Sequence, residues 1–261
     1  MKIIDISEEY LPSYFLCLED WSDEIKEAGQ HKKRYYEKMK EKGLQVKLAV
    51  DDAGALGGMI QYLPIENSHL QGKDLYFILC IWVHGHKQGR GNFQKMGMGA
   101  ELLKAAEEDA RSRGAKGMAG WGVILPFWMK ASWLKKHGYK KADRQGIMAL
   151  LWKPFQEGAV APKWNHASKK VEPVPGKVTV SAFLNGWCPA SNMVFERAKR
   201  ACAELGDKVE FREYDTSDPA VFREWGLVDD IFVNGKKITS GPPLSYKKIY
   251  TKIAREAGKI K

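Results

Sequence analysis

Residues Gly91–Gly114 read GNFQKMGMGAELLKAAEEDARSRG, and the first half of the chain is organised around this stretch. Leu102, Leu103, Ala106 and Ala110 fall on one face at helical spacing. Arg111 and Arg113 stand in the last turn and Gly114 follows, as helix C-termini prefer. The helix begins at two glycines, Gly97 and Gly99, although glycine is poor in a helix interior. At a helix head the first N–H groups lack intrahelical acceptors and the dipole is positive. Glycines there let a phosphate or pyrophosphate come close to the backbone. A tight strand-to-helix turn that binds nothing uses the same glycines, so the spacing alone leaves both readings open.

Working outward, apolar segments alternate in character. KIIDIS (2–7), VKLAV (46–50), ALGGMIQYLPI (55–65) and DLYFILCIWV (74–83) read as strands, rich in β-branched and aromatic residues. Asp20 to Lys42 is a charged, helical stretch. After the glycine helix come a strand at GMAGWGVI (117–124), a helix at FWMKASWLKKHG (127–138) and a strand at IMALLWKPF (147–155). The stretch from Pro154 to Gly176 holds four prolines and no periodicity, so it reads as a linker with Trp164 available to pack on a domain. These features divide the chain into residues 1–153, a linker at 154–176, and a second domain at 177–261. In that second domain the order is strand (177–185), helix (190–205), strand (208–215), short helix (218–226), hairpin and closing helix from Ser245. Asn234-Gly235 is the hairpin's two-residue turn signal.

Composition narrows the function classes. The chain has 261 residues, 44% hydrophobic and 28% charged, as a soluble globular protein does. No apolar run is long enough to span a bilayer, and the acidic start MKIIDISEEYLPSY lacks a signal-like apolar core. The four cysteines, Cys17, Cys80, Cys188 and Cys202, show neither a paired framework nor metal-ligand spacing, which suits a reducing cytoplasm. The net charge of +10 is spread along the chain rather than gathered in a stripe, so no nucleic-acid or membrane partner is expected. No GxxxxGK[ST] run exists, and Leu102 stands where a dinucleotide fingerprint needs its third glycine.

Gln94-Lys95-Met96-Gly97-Met98-Gly99 matches the Q/R-x-x-G-x-G/A motif of the GNAT acetyltransferases, and residues 1–153 resemble that family in element order. The resemblance implies an α/β (α+β) fold, a mixed central sheet flanked by helices. It implies acetyl-coenzyme A as co-substrate, its pyrophosphate held by Gln94, Lys95, Met96, Gly97, Met98, Gly99 and Ala100. The strand before the loop would splay from its neighbour and offer the backbone of Ile81, Trp82 and Val83 to the pantetheine arm. The acceptor, a small-molecule or peptide amine, would attack the acetyl carbon directly in a ternary complex. The tyrosine that many members place four residues before a Gly-aromatic pair is Leu134 here, ahead of Gly138-Tyr139. The leaving thiolate is then protonated by Ser132, by water, or by no protein group. His84, just past the active strand, is the candidate base, or else an ordinary imidazole of a solvated loop. His84 and His86 lack a third ligand nearby, so no metal is expected. Lys87 and Arg90 either meet the 3′-phosphate of coenzyme A or face water. Trp121 and Trp133 read as core, and Phe127 and Trp128 are candidates for the acceptor pocket.

In the second domain, Trp187-Cys188-Pro189 at a helix start resembles thioredoxin and glutaredoxin active sites, and the pairing of domains resembles acetyltransferases with an appended YoaP-like domain. A helix start lowers a thiol's pKa, which makes Cys188 the redox candidate and gives an alternative function, thiol redox or sensing. Ser191 stands at the second cysteine of a CxxC pair, and Asp229 where the resemblance expects a proline. Both point to a degenerate binding or structural module.

Overall fold

Strands and helices alternate along nearly the whole chain in the computed structural model, which describes residues 1–125, 129–166, 169–239 and 241–259. In order come β1 (Lys2–Asp5), α1 (Leu11–Phe15), α2 (Asp23–Lys26), α3 (His31–Lys40), β2 (Gln45–Val50), β3 (Leu56–Pro64), β4 (Leu70–Gln71) and β5 (Leu75–Val83). Then follow α4 (Met98–Ser112), β6 (Gly117–Val123), α5 (Ala131–Lys136), β7 (Lys140–Gln145), β8 (Met148–Pro154) and β9 (Lys163–Trp164). The remainder is β10 (Val178–Leu184), α6 (Pro189–Leu205), β11 (Val209–Asp215), α7 (Pro219–Trp225), β12 (Asp230–Val233), β13 (Lys236–Lys237) and α8 (Tyr246–Ala257). The chain divides into two compact units: Met1–Trp21 with Glu37–Asn165, and Ser22–Tyr36 with His166–Lys261. The second unit thus takes in Ser22–Tyr36, which the sequence assigned to the first domain. The first keeps residues as far as Asn165, inside the stretch read as linker.

The first unit is built on a seven-stranded sheet of order β1-β2-β3-β5-β6-β8-β7. Every neighbouring pair is antiparallel except β5 and β6, which α4 connects as a crossover. α4 buries the residues its periodicity marks, Leu102, Leu103, Ala106 and Ala110, with Met98 ahead of them. They join Ile60, Tyr62, Ile78 and Leu151 in one core. Each fully buried leucine contributes roughly 1.5–3 kcal/mol of apolar burial. Trp164 is buried, its strand β9 pairs with β4, and its ring stacks on His69. That packing is why the supposed linker holds to this unit as far as Asn165.

The second unit has a four-stranded sheet of order β11-β10-β12-β13, with β10 parallel to β11 and antiparallel to β12. α6 and α8 pack on one face over Val178, Val180, Ala182, Ile231 and Val233. On the other, Phe183 stacks on Tyr214 and meets Trp225 and Phe232 edge-on. Asn234 (φ +46°) and Gly235 (φ +74°) make the hairpin turn between β12 and β13 that the sequence signalled.

Two expectations need correction. The helical stretch from Asp20 to Lys42 is broken into α2 and α3, with Gly29 in the left-handed region (φ +63°) between them. Of the helix expected over 127–138, the described residues show the short α5, Phe127 and Trp128 lying outside them, and strand β7 follows where none was foreseen. KKADRQ has no apolar alternation because β7 is a mostly exposed edge strand. Among the described residues no helix is long and apolar enough to cross a membrane.

Candidate functional site

The sheet of the first unit opens in its middle. β5 and β6 are paired only from Leu75↔Gly117 to Phe77↔Ala119, and then part. β5 continues on β3 as far as Val83↔Gly58, and β6 continues on β8 as far as Val123↔Met148. On the side facing β6, the backbone from Ile78 to Val83 therefore has no strand partner among the described residues. A bulge sets the parting, since the register on β3 shifts between Gln61↔Cys80 and Tyr62↔Ile78 and leaves Leu79 unmatched. Trp121 reaches across from β6 and donates its indole N–H to the Leu79 carbonyl at 2.8 Å.

The head of α4 lies at this opening. Gly97 caps the helix at φ +85°, a left-handed conformation that costs a residue with a side chain roughly 1–2 kcal/mol. Lys95 before it is also left-handed, at φ +65°. Ala100 and Glu101 donate back to the Gly97 carbonyl, whereas among the described residues the N–H groups of Gly97, Met98 and Gly99 have no acceptor. A side chain at Gly97 would project into open space, and a Cβ at Gly99 would stand 3.8 Å from Val83 and 3.4 Å from Trp133. The glycine head and the end of β5 are thus immediate neighbours.

The structure sorts the predicted cofactor residues by which part of each is available. Gln94, Lys95, Met96 and Gly97 are exposed, and Gly99 and Ala100 are half-buried. Met98 sends its side chain into the core, so only its backbone faces out. The Gln94 side chain lies against Gly85, where any Cβ would overlap it. Ile81 and Val83 pack their side chains on the core that α4 covers. Trp82 instead turns to the other face, where its indole N–H donates to Glu19 Oε1 at 3.1 Å.

His84 takes the place of an anchor rather than that of a base. Its ring is fully buried. Nδ1 lies 2.6 Å from the Gly91 carbonyl, which can only accept, so that nitrogen carries the proton. Nε2 accepts from the Trp21 indole at 3.0 Å. With both nitrogens engaged, no lone pair remains for an incoming amine. The His84 backbone is held as well, by Gly57 O and Phe93 N, so the residue closes the loop that leads to the glycine head. Arg90 is partly buried and pairs with Asp20 and Ser13. Burial raises the Asp20 carboxyl, but the bonds and charge of Arg90 outweigh it and hold that carboxyl below its ordinary range.

Among the described residues, neither Leu134 nor Tyr139 offers an available acid for a leaving thiolate. Leu134, in the position of the usual tyrosine, is buried beside Gly120 of β6. Tyr139 is buried in the core, where desolvation and Glu107 keep its proton on. Ser132 sits exposed on α5. Phe127 and Trp128, the acceptor-pocket candidates, lie outside the described residues. Glu19 carries no motif signal and comes to Trp82 and His84 only through the tertiary fold.

In the second unit Cys188 caps α6, half-buried, with Asn192 N–H donating to its carbonyl. Cys202 is buried on the same helix, about 20 Å further on at 1.5 Å per residue, its thiol pushed up to about 12 by burial. Asp229 stands near that helix start, its carboxyl bonded to Asn185 N–H at 2.8 Å and to Ser191.

Residues 3–126 match the family model described as Acetyltransferase (GNAT) family. No curated protein matches the chain at a significant level. Among solved structures the chain is similar to YhbS of Escherichia coli in complex with CoA, at 12% identity over 63% of this chain and 89% of that one, with a TM-score of 0.44. It is similar to PaiA N-acetyltransferase of Thermoplasma acidophilum in complex with coenzyme A, at 18% identity over 59% and 100%, TM-score 0.44. A GNAT family acetyltransferase of Brucella melitensis in complex with acetyl-CoA gives 17% over 63% and 92%, TM-score 0.42. These likenesses are distant, and the family match stands without them. Residues 3–126, just under half of the chain, are thus matched as an acetyltransferase domain of the GNAT family.

Proposed function

We propose that the first unit moves the acetyl group of acetyl-coenzyme A to a primary amine by direct attack in a ternary complex. The observation that carries this is one juxtaposition. Among the described residues, the N–H groups of Gly97, Met98 and Gly99 have no acceptor, and they adjoin the end of β5, whose edge there has no strand partner. A pyrophosphate suits the former, through N–H donors and the helix dipole. An extended amide-bearing arm suits the latter, as an added strand suits a sheet edge. Together they hold a thioester near Ile81–Val83, where proximity supplies much of the acceleration. The amine arrives protonated at neutral pH and must lose a proton before it attacks.

The second unit is read as a thioredoxin-like module, supported by its β-α-β-α-β-β-α order and by the parallel pairing of β10 with β11. The four cysteines form no disulfide, which agrees with a reducing compartment such as the cytoplasm.

The test is thermal unfolding with and without acetyl-coenzyme A. Ligand at 100 times its Kd stabilises by about 2.7 kcal/mol, a rise of roughly 5–10 °C for a chain of this size. An unchanged Tm together with no binding heat at millimolar ligand would refute the proposal.

A further inference from the structure

Two adjacent carboxylates, Glu19 and Asp20, end the segment that runs from α1 across the face of β3 and β5. Tyr14 of α1 fastens that segment by donating to Gln61 of β3 at 2.6 Å. Cys17 and Leu18 then take left-handed φ values of 52° and 63°, uncommon without glycine, and turn the chain so that Glu19 meets Trp82. Asp20 is satisfied, with Arg90 bonded to it. Glu19 has no such cation. Its Oε1 accepts from Trp82, while its Oε2 stands 3.7 Å from His84 Nε2. That nitrogen carries no proton to offer, because Nδ1 holds it and Trp21 has taken the lone pair. Among the described residues, then, no donor meets Oε2. The side chain is only 16% exposed, so this oxygen is largely withdrawn from water without being sealed. Trp21 beside it is 39% exposed, a large aromatic left at the surface.

We infer that Glu19 is the acceptor-recognition residue, binding the ammonium of an aliphatic primary amine between the Trp82 and Trp21 indoles. This rests on the acetyltransferase reading, because Trp82 belongs to the strand proposed to hold the thioester. The chemistry fits each part. A charge-assisted bond to a half-buried carboxylate is about twice as strong as a neutral one. The bond from Trp82 fixes the carboxylate, so little side-chain freedom is lost on binding. The acceptor is accordingly selected for positive charge, and a neutral isostere should be refused.

The experiment follows the indole N–H signals of Trp82 and Trp21 in 15N-labelled full-length protein, saturated with coenzyme A. The probes are n-pentylammonium chloride and n-pentanol. Wild type should bind the ammonium at least tenfold more tightly than the alcohol, and Glu19→Gln should bring the two to parity. Glutamine retains an oxygen for Trp82, so the local fold is kept. Glu19→Asp, with the charge one methylene further back, should keep a preference weaker than that of wild type. Parity in wild type, an undiminished preference in Glu19→Gln, or parity in Glu19→Asp would overturn the inference. Coenzyme A saturation, read separately at the Gly97–Gly99 amides, reports on the acetyltransferase reading. Its failure there, with the ammonium preference intact, would count against that reading and not against Glu19 as a cation site.

Discussion

Gly99→Glu should separate folding from binding, moving the two in opposite directions. The new Cβ would stand 3.4 Å from Trp133 and 3.8 Å from Val83, ordinary contact distances, and Gly99 does not hold a left-handed φ. Replacing a helical glycine by a better helix former contributes about 0.5–1 kcal/mol. A carboxylate in the first turn of α4 adds roughly 0.3–1 kcal/mol through the helix dipole. The variant should therefore melt no lower than wild type, and up to about 8 °C higher. Binding should suffer. A carboxylate about 4 Å from one phosphate charge is repelled by about 1 kcal/mol at the dielectric of water and about 4 kcal/mol at an effective value of 20. Acetyl-coenzyme A affinity should fall by roughly fivefold to a thousandfold. Calorimetric titration alongside a thermal melt in the same buffer reads both quantities. A variant with unchanged affinity would refute the pyrophosphate assignment, and one melting several degrees lower would refute the geometry of the helix head.

Other expectations follow from buried polar groups. The Asp229 carboxyl is pushed up to about 7, chiefly by burial, against the opposing bonds from Asn185 and Ser191. Its ordinary value is 3.8, so the folded state holds the proton more tightly than the unfolded chain does. Stability is therefore lost as pH rises through about 7 and regained as it falls toward 4. Between pH 5 and pH 8, Asp229→Asn should lose about 2 kcal/mol less stability than wild type in urea unfolding; equal losses would assign the pH dependence to other groups. Trp21→Phe removes the donor to His84 Nε2 and leaves a buried nitrogen unsatisfied, at a cost of about 1–3 kcal/mol. A variant as stable as wild type would show that His84 does not anchor the loop.

The sequence and the structure agree where the pattern is local. Leu102, Leu103, Ala106 and Ala110 mark the buried face of α4, and Asn234-Gly235 marks its hairpin, because periodicity and turn chemistry act over a few residues. Gly97 was legible as special, and its left-handed φ supplies the reason. Trp164 was visible as an aromatic among prolines, though not its partner His69. What stayed hidden depends on distant pairings. Glu19 and Trp82 are 63 positions apart, as are Trp21 and His84, and no spacing rule connects them. The same distance concealed the fate of Arg90, which Asp20 and Ser13 engage from 70 and 77 positions away. β7 escaped because a polar edge strand has no apolar face to announce it.

The proposed function turns on three backbone N–H groups at the head of α4 holding the pyrophosphate of acetyl-coenzyme A. It is tested most directly by titrating 15N-labelled protein with coenzyme A and following the Gly97, Met98 and Gly99 amides. These three should shift together to lower field as they gain an anionic acceptor, with a common Kd, while the Gly235 turn in the second unit stays unmoved. Saturation with those three amides unperturbed would contradict it.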